Sequence, residues 1–203
     1  MMVGEKVDPI YLKIMKGEAL TFIFPSPPQL KELPRPKREG VVTVGEKVPD
    51  FAVRALDGKA VKLSQLQKDE GRTKQGALVL SFWCSTCSSC RRVEHRLDKL
   101  ARDYKGQAAV IALDANAGET AERVTAFAKE KGLALPIVLD PGGRTADLFG
   151  TEVTTTTVVI DGKGVLRYCG RFGQGDEAAS AEAALKAVLA GKEVPVKTTP
   201  HDG

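Results

Sequence analysis

The chain has 203 residues, 30 of them lysine or arginine and 26 aspartate or glutamate, for a formal charge of +4; 42% of it is hydrophobic and 28% charged. Those are ordinary globular proportions: they speak against a disordered or membrane-embedded chain, and the scattered basic residues form no patch for nucleic acid. A chain this long can close one core burying roughly 70% of its unfolded surface, so one domain with appendages is expected. The start shows no charged segment followed by an apolar core of about 7–15 residues, which points to the cytoplasm; a trimmed start would leave a periplasmic or membrane-anchored protein reading the same way.

Residues 1–40 read as an N-terminal arm and linker. Ile10, Tyr11, Leu12, Ile14, Met15, Leu20 and Phe22 to Phe24 suit docking onto the domain or a partner, and Pro25 to Glu39 holds five of the eleven prolines, which exclude helix and central strand there. A folded domain spans 41–194. It opens with a β-hairpin from Phe51 to Leu63 turning at Asp57-Gly58, a pair that supplies positive φ. Ser64 and Gln67 read as a capping box opening a short helix. Gly76 to Trp83 is an apolar run for a central strand. Val93, Leu97, Leu100, Ala101 and Tyr104 then mark a helix over 88–104 with one buried face. A second buried strand follows at Ala108 to Leu113, and a helix at Thr120 to Lys131 with Val124, Phe127 and Ala128 inward and Gly132 as its stop. Ile137 to Leu139 is a short strand and Arg144 to Phe149 a short helix. Thr156 to Ile160 and Val165 to Cys169 form a second hairpin, and Glu177 to Ala190 a last helix. Parallel βαβ first, antiparallel hairpin and helix last: the class is mixed α/β. The stretch 195–203 is a polar tail expected to fray.

Three of the four cysteines fall within seven positions, where they cannot staple distant segments, so they point to chemistry or metal. In Trp83-Cys84-Ser85-Thr86-Cys87-Ser88-Ser89-Cys90-Arg91 the thiols recur every third residue between a strand and a helix. A sulfur at a helix start faces unpaired N–H groups and the positive end of the dipole, both of which favour thiolate. Cys87 and Cys90 share a helix face with Cα atoms about 5 Å apart, within reach of a disulfide. The bland alternative is a pair of buried, inert, small apolar residues.

With these motifs in view the chain resembles the thioredoxin superfamily, in its TlpA/ResA-like or AhpC/TSA-type redoxin branch, over roughly residues 43–190. The resemblance rests on Val44-Gly45-Glu46-Lys47-Val48-Pro49-Asp50-Phe51, Leu56-Asp57-Gly58-Lys59, Phe82-Trp83 before the cysteines, and Val159-Ile160-Asp161-Gly162-Lys163-Gly164. It implies a thioredoxin-like fold, with an N-terminal β-hairpin and a central mixed sheet flanked by helices. It also implies a thiol-disulfide oxidoreductase without cofactor, in which Cys87 attacks and Cys90 resolves. Its partners would be a protein or small-molecule disulfide substrate and a thiol reductant, with no nucleic acid and no membrane. Trp83, Thr154 and Thr155 would border the substrate.

Three departures from the family pattern stand out. Thr155 occupies the place of the family's cis-proline; a non-proline cis bond costs about 3 kcal/mol, so the Thr154-Thr155 peptide is expected to be trans. Val93 holds the place of a proton-relaying glutamate, and Glu94 is rotated from it by about 100°. Cys84 is an additional thiol.

Two alternatives follow. One is a peroxiredoxin-like thiol peroxidase in which Cys87 passes through a sulfenic acid resolved by Cys90 or Cys84; the family's Pro-x-x-x-Thr/Ser-x-x-Cys approach is missing, since Ser81 and Thr86 are out of place. The other is a metal module: Cys84, Cys87 and Cys90, joined by Cys169 from a strand that the resemblance brings near, would bind zinc or an iron–sulfur cluster, and the missing cis-proline removes a barrier to metal capture. Among the remaining residues, His95 reads as a solvated or interface histidine, Asp114 as a loop-capping acid, and Trp83 as a shield for the sulfurs or core filling.

Overall fold

Strand β3 (Thr73–Phe82) runs through the centre of a seven-stranded sheet ordered β2-β1-β5-β4-β3-β6-β7 in the computed structural model, which describes residues 40–173 and 180–200. The other strands are β1 (Ala52–Ala55), β2 (Ala60–Lys62), β4 (Gly106–Asp114), β5 (Ile137–Leu139), β6 (Thr156–Ile160) and β7 (Leu166–Arg171). β3, β4 and β5 are parallel neighbours, while β1, β2, β6 and β7 join antiparallel. Among the described residues the helices are α1 (Leu63–Lys68), α2 (Ser88–Asp103), α3 (Ala121–Lys131), α4 (Arg144–Leu148) and, after the last strand, α5 (Ala181–Leu189).

Burial on both faces explains why β3 and β4 read as continuous apolar runs instead of alternating ones. Ala77 and Val79 face a core built with Val93, Leu97 and Leu100 of α2 and Ala184 and Leu185 of α5. Leu78, Leu80 and Phe82 face the opposite core, with Val53, Leu63, Leu66 and Phe149. Helix α2 is further fixed by Asp98, which is buried, accepts from the Ala134 and Leu135 N–H groups at 2.8 Å each, and pairs with Arg102 at 2.6 Å. The dithiol helix is therefore locked to the chain entering β5. No helix of the described residues is long and apolar enough to cross a membrane.

The predicted elements appear in the predicted order, with three corrections. The cap of α1 sits two residues earlier than expected: Gln65 Oε1 accepts from the Lys62 N–H at 2.8 Å, while the Ser64 N–H and hydroxyl both go to Asp50. Gln67 is drawn away to bridge the Gly76 and Asp161 carbonyls at 2.9 and 2.7 Å, so tertiary partners outcompete the local motif. The expected frayed tail is instead docked as far as Thr199. Thr198 bridges to Cys169 beside β7, the Cys169 N–H reaches the Lys197 carbonyl, and Thr199 Oγ1 accepts from the Arg171 N–H and lies 2.9 Å from the Tyr168 hydroxyl. The cause is the otherwise open edge of β7, whose unpaired backbone groups take up a polar segment. Finally, the last helix begins at Ala181, capped by the Ser180 hydroxyl; the residues 177–179 expected in it lie outside those described, as does the arm 1–39.

Candidate active site

The dithiol lies where β3 ends. The Trp83 N–H still pairs with the Leu113 carbonyl, after which Cys84 to Cys87 form a turn closed by the Cys87 N–H on the Cys84 carbonyl at 3.4 Å. Ser85 at its corner is buried and pinned by Glu119, which accepts from both its N–H (2.9 Å) and its hydroxyl. Cys87 is the N-cap of α2, with extended backbone (φ −79°, ψ 124°) and no side-chain oxygen to satisfy the helix's first N–H groups. Its sulfur occupies the place a capping oxygen normally fills.

The second wall comes from the loop before β6. Because Ser81 pairs with Thr157, with their hydroxyls 3.0 Å apart, the residues just preceding β6 fall beside the end of β3. Thr154 Oγ1 is thereby 3.0 Å from Cys87 Sγ. The next residue, Thr155, has φ +70° and donates its N–H to the Phe82 carbonyl at 2.6 Å, and no described peptide bond is cis. Proline fits neither fact, since it fixes φ near −65° and has no N–H. The departure from the family pattern is thus a different backbone path at this loop, held by a hydrogen bond that proline could not make.

The two sulfurs are electrostatically unlike. Partial burial pushes the Cys87 thiol up, but the Thr154 hydroxyl, the Cys90 N–H and thiol and the Ser89 N–H outweigh it and bring the group down to about 7. Burial pushes Cys90 the other way, up to about 12, against a weak contact in which the Cys84 N–H donates to its sulfur at 3.4 Å. Cys87 is partly exposed and Cys90 fully enclosed. One thiol is poised to ionise in solvent and the other is held in reserve behind it.

The remaining predicted residues divide clearly. Cys84 is buried, and its sulfur clusters with those of Cys87 and Cys90, all within 4.8 Å of one another. Cys169 does not join them: it sits on the other face of the sheet, packed against the core of Leu78 and Val158, whereas Cys87 and Cys90 belong to the core of Val79 and Tyr168. The alternation of β7 puts Tyr168 on the dithiol side and Cys169 away from it, which corrects the four-thiol grouping. Trp83 is 2% exposed and packs at a tilt against Phe127, with ring centroids 5.6 Å apart, leaving only an edge to line a cleft beside Cys84 and Thr154. Glu94 is half-buried with Oε2 unpartnered among the described residues, and His95 is exposed.

Asp114 does cap its loop, accepting from the Asn116 N–H at 2.8 Å, but it has a second property. Burial raises its carboxyl to about 7, with the facing Glu119 adding to the rise, while Glu119 stays below the usual range. Asp114 Oδ2 has no hydrogen-bond partner among the described residues, in keeping with a carboxyl that burial and Glu119 favour in its protonated form. Glu119 and Ser85 were invisible to motif reading because they lie 34 residues apart and belong to no spacing pattern; the sole hint was two acids flanking a loop at the end of a strand.

A model of the AhpC/TSA family matches residues 44–169, more than half of the sequence. The chain belongs to the AhpC/TSA family. This AhpC/TSA chain is 33% identical over 132 residues to the thioredoxin-like protein YneN of Bacillus subtilis (strain 168), covering 64% of this chain and 73% of that one. It is 33% identical over 120 residues to the thiol-disulfide oxidoreductase ResA of Halalkalibacterium halodurans, covering 59% and 64% respectively. The crystal structure of the pneumococcal exposed lipoprotein thioredoxin Etrx1 from Streptococcus pneumoniae superposes with a TM-score of 0.51 at 26% identity, over 70% of this chain and 99% of that one. The AhpC/TSA fold here is thioredoxin-like, and the sequence relatives place the chain among redox enzymes of the thiol-disulfide oxidoreductase family.

Proposed function

We propose that this protein exchanges disulfides through Cys87 and Cys90. The observation that carries the reading is the asymmetry of the pair: Cys87 caps α2 with the Thr154 hydroxyl 3.0 Å from its partly exposed sulfur, and Cys90 lies buried one turn on. In the first step Cys87 thiolate attacks one sulfur of a substrate disulfide, forming a mixed disulfide and expelling the other sulfur as a thiolate. Cys90 then attacks Cys87 Sγ. Its proton passes to a departing thiolate, the Cys87–Cys90 disulfide forms, and the substrate leaves fully reduced. A thiol reductant returns the two electrons and restores the dithiol. Burial of Cys90 is consistent with this order, because a high thiol pKa keeps it from competing in the first step and the mixed disulfide brings its target to it.

A cleft of about 360 Å³ is walled by Phe82, Trp83, Cys84, Asn116, Val153 and Thr154, the last of which touches Cys87, and is the natural seat for the substrate chain. Val153 and Thr154, half-buried on its wall, would border a peptide around the disulfide. Purified protein supplied with dithiothreitol is expected to accelerate reduction of insulin disulfides, and Cys87→Ser to abolish the acceleration. An undiminished rate in Cys87→Ser would overturn the reading.

A further inference from the structure

Cys84 takes no part in the two-thiol exchange, yet it is not placed at random. Cys84, Cys87 and Cys90 are the one group of three or more metal-ligand side chains that converges among the described residues, with every sulfur within 4.8 Å of the others. Zinc bound tetrahedrally by thiolates at about 2.3 Å separates its sulfurs by roughly 3.8 Å, so contraction by about 1 Å at most closes the set. A small rotation at the χ1 of a helix-capping cysteine supplies that movement.

We infer that Cys84, Cys87 and Cys90 form an open three-thiolate site for a thiophilic cation of the Zn²⁺ class in the reduced protein. Three features beyond proximity argue for it. Each sulfur has its own outer partner: Thr86 Oγ1 lies 3.6 Å from Cys84 Sγ, Thr154 Oγ1 lies 3.0 Å from Cys87 Sγ, and the Cys84 N–H donates to Cys90 Sγ at 3.4 Å. Donors of this kind orient thiolate ligands and spread their charge. The ligand-bearing segment is also rigid before any metal arrives, since the Trp83 N–H pairs with Leu113 and Glu119 grips Ser85 at the turn. The ordering cost that weakens sites in loose loops is therefore largely met by the fold. Finally, with Cys169 on the far face of the sheet, the fourth position has no protein sulfur and stays open to water or an external thiol.

The site and the exchange reaction compete for the same atoms. Binding converts up to three thiols to thiolates and releases their protons; oxidation of Cys87 and Cys90 to a disulfide removes two of the three ligands and expels the cation. The inference does not rest on disulfide exchange, because a protein inactive toward disulfides could still bind metal.

The test uses the full chain, reduced and handled without oxygen. Zn²⁺ is titrated against a chromophoric chelator, and Co²⁺ serves as a spectroscopic probe. We expect one equivalent bound, a sulfur-to-cobalt charge-transfer band with tetrahedral visible bands, and loss of both signals when Cys87 and Cys90 are oxidised. Removing one of three ligands in Cys84→Ser should weaken Zn²⁺ binding by about 10-fold or more, while Cys169→Ser should leave it unchanged. Equal affinity in wild type and Cys84→Ser, or equal loss in Cys169→Ser, would overturn the proposal. The wild-type cobalt spectrum decides the matter even if a variant fails to fold: octahedral bands without charge transfer, or bands that survive oxidation, contradict it.

Discussion

Thr154 does more for the chemistry of Cys87 than any other side chain in the structure. A hydrogen bond to a charged acceptor contributes about 1.5–3 kcal/mol, and one pKa unit corresponds to about 1.4 kcal/mol. In Thr154→Val, with the hydroxyl replaced by a methyl of similar volume, the Cys87 thiol is therefore expected to rise by about one unit or more, read as thiolate absorbance against pH. An unmoved titration would mean that the 3.0 Å contact between Thr154 and Cys87 does not act on the thiolate. The sequence marked Thr154 as a bordering residue only through family likeness; the backbone of its neighbour was beyond reach. Thr155 at φ +70° is a β-branched residue in a region that normally costs it about 1–2 kcal/mol, and what holds it there is a bond to Phe82, a partner distant in the chain. Propensity alone argues against such a conformation, so no reading of Thr154-Thr155-Thr156-Thr157 could have reached it.

At the scale of elements, legibility followed periodicity. β3 and β4 announce themselves as apolar runs because both faces are buried, and α2 because Val93, Leu97 and Leu100 recur on one side. The segment after α5 has no period, so its docking could not be read. Among its described residues only Val194 and Thr199 are buried, and what holds it is the free edge of β7. Gly170 is what allows the close approach: a Cβ there would collide with the Thr199 hydroxyl and with the Thr199 and Tyr168 polar atoms around it. Gly170→Ala is accordingly expected to cost about 1–3 kcal/mol by denaturant titration, in the range of overpacking substitutions, and to open the chain near Lys197 to proteases. Unchanged stability with unchanged proteolysis would show that the edge is not covered in solution. The misplaced cap of α1 teaches the same lesson in miniature: Ser64 and Gln67 fit the local motif, but Asp50 and the Asp161 carbonyl offered them stronger partners from elsewhere in the fold.

The molecule as a whole carries a pH signature away from the sulfurs. Asp114 is raised to about 7 by burial and by Glu119, so between about pH 4 and pH 7 the folded protein keeps a proton that the unfolded chain has lost. The stability this contributes is complete below pH 4 and is lost as pH rises through 7. Glu119, shifted downward, acts only at lower pH, where its contribution falls away with acidification. Denaturant titrations of wild type should therefore show stability falling from pH 5 to pH 8, by on the order of 2 kcal/mol from this pair, and Asp114→Asn should flatten the fall because its amide can still donate to Glu119. The sheet order itself creates the reactive centre: pairing of β6 with β3 delivers Thr154 to a cysteine 67 residues earlier, which no isolated segment could do. That assembly is tested most directly by alkylating the reduced, metal-free protein with iodoacetamide from pH 5 to pH 10 and following each cysteine by mass spectrometry. Cys87 should react first, with a half-maximal rate near pH 7, and Cys90 and Cys169 should lag throughout. A Cys87 profile centred near pH 9, or faster labelling of Cys90, would contradict the account.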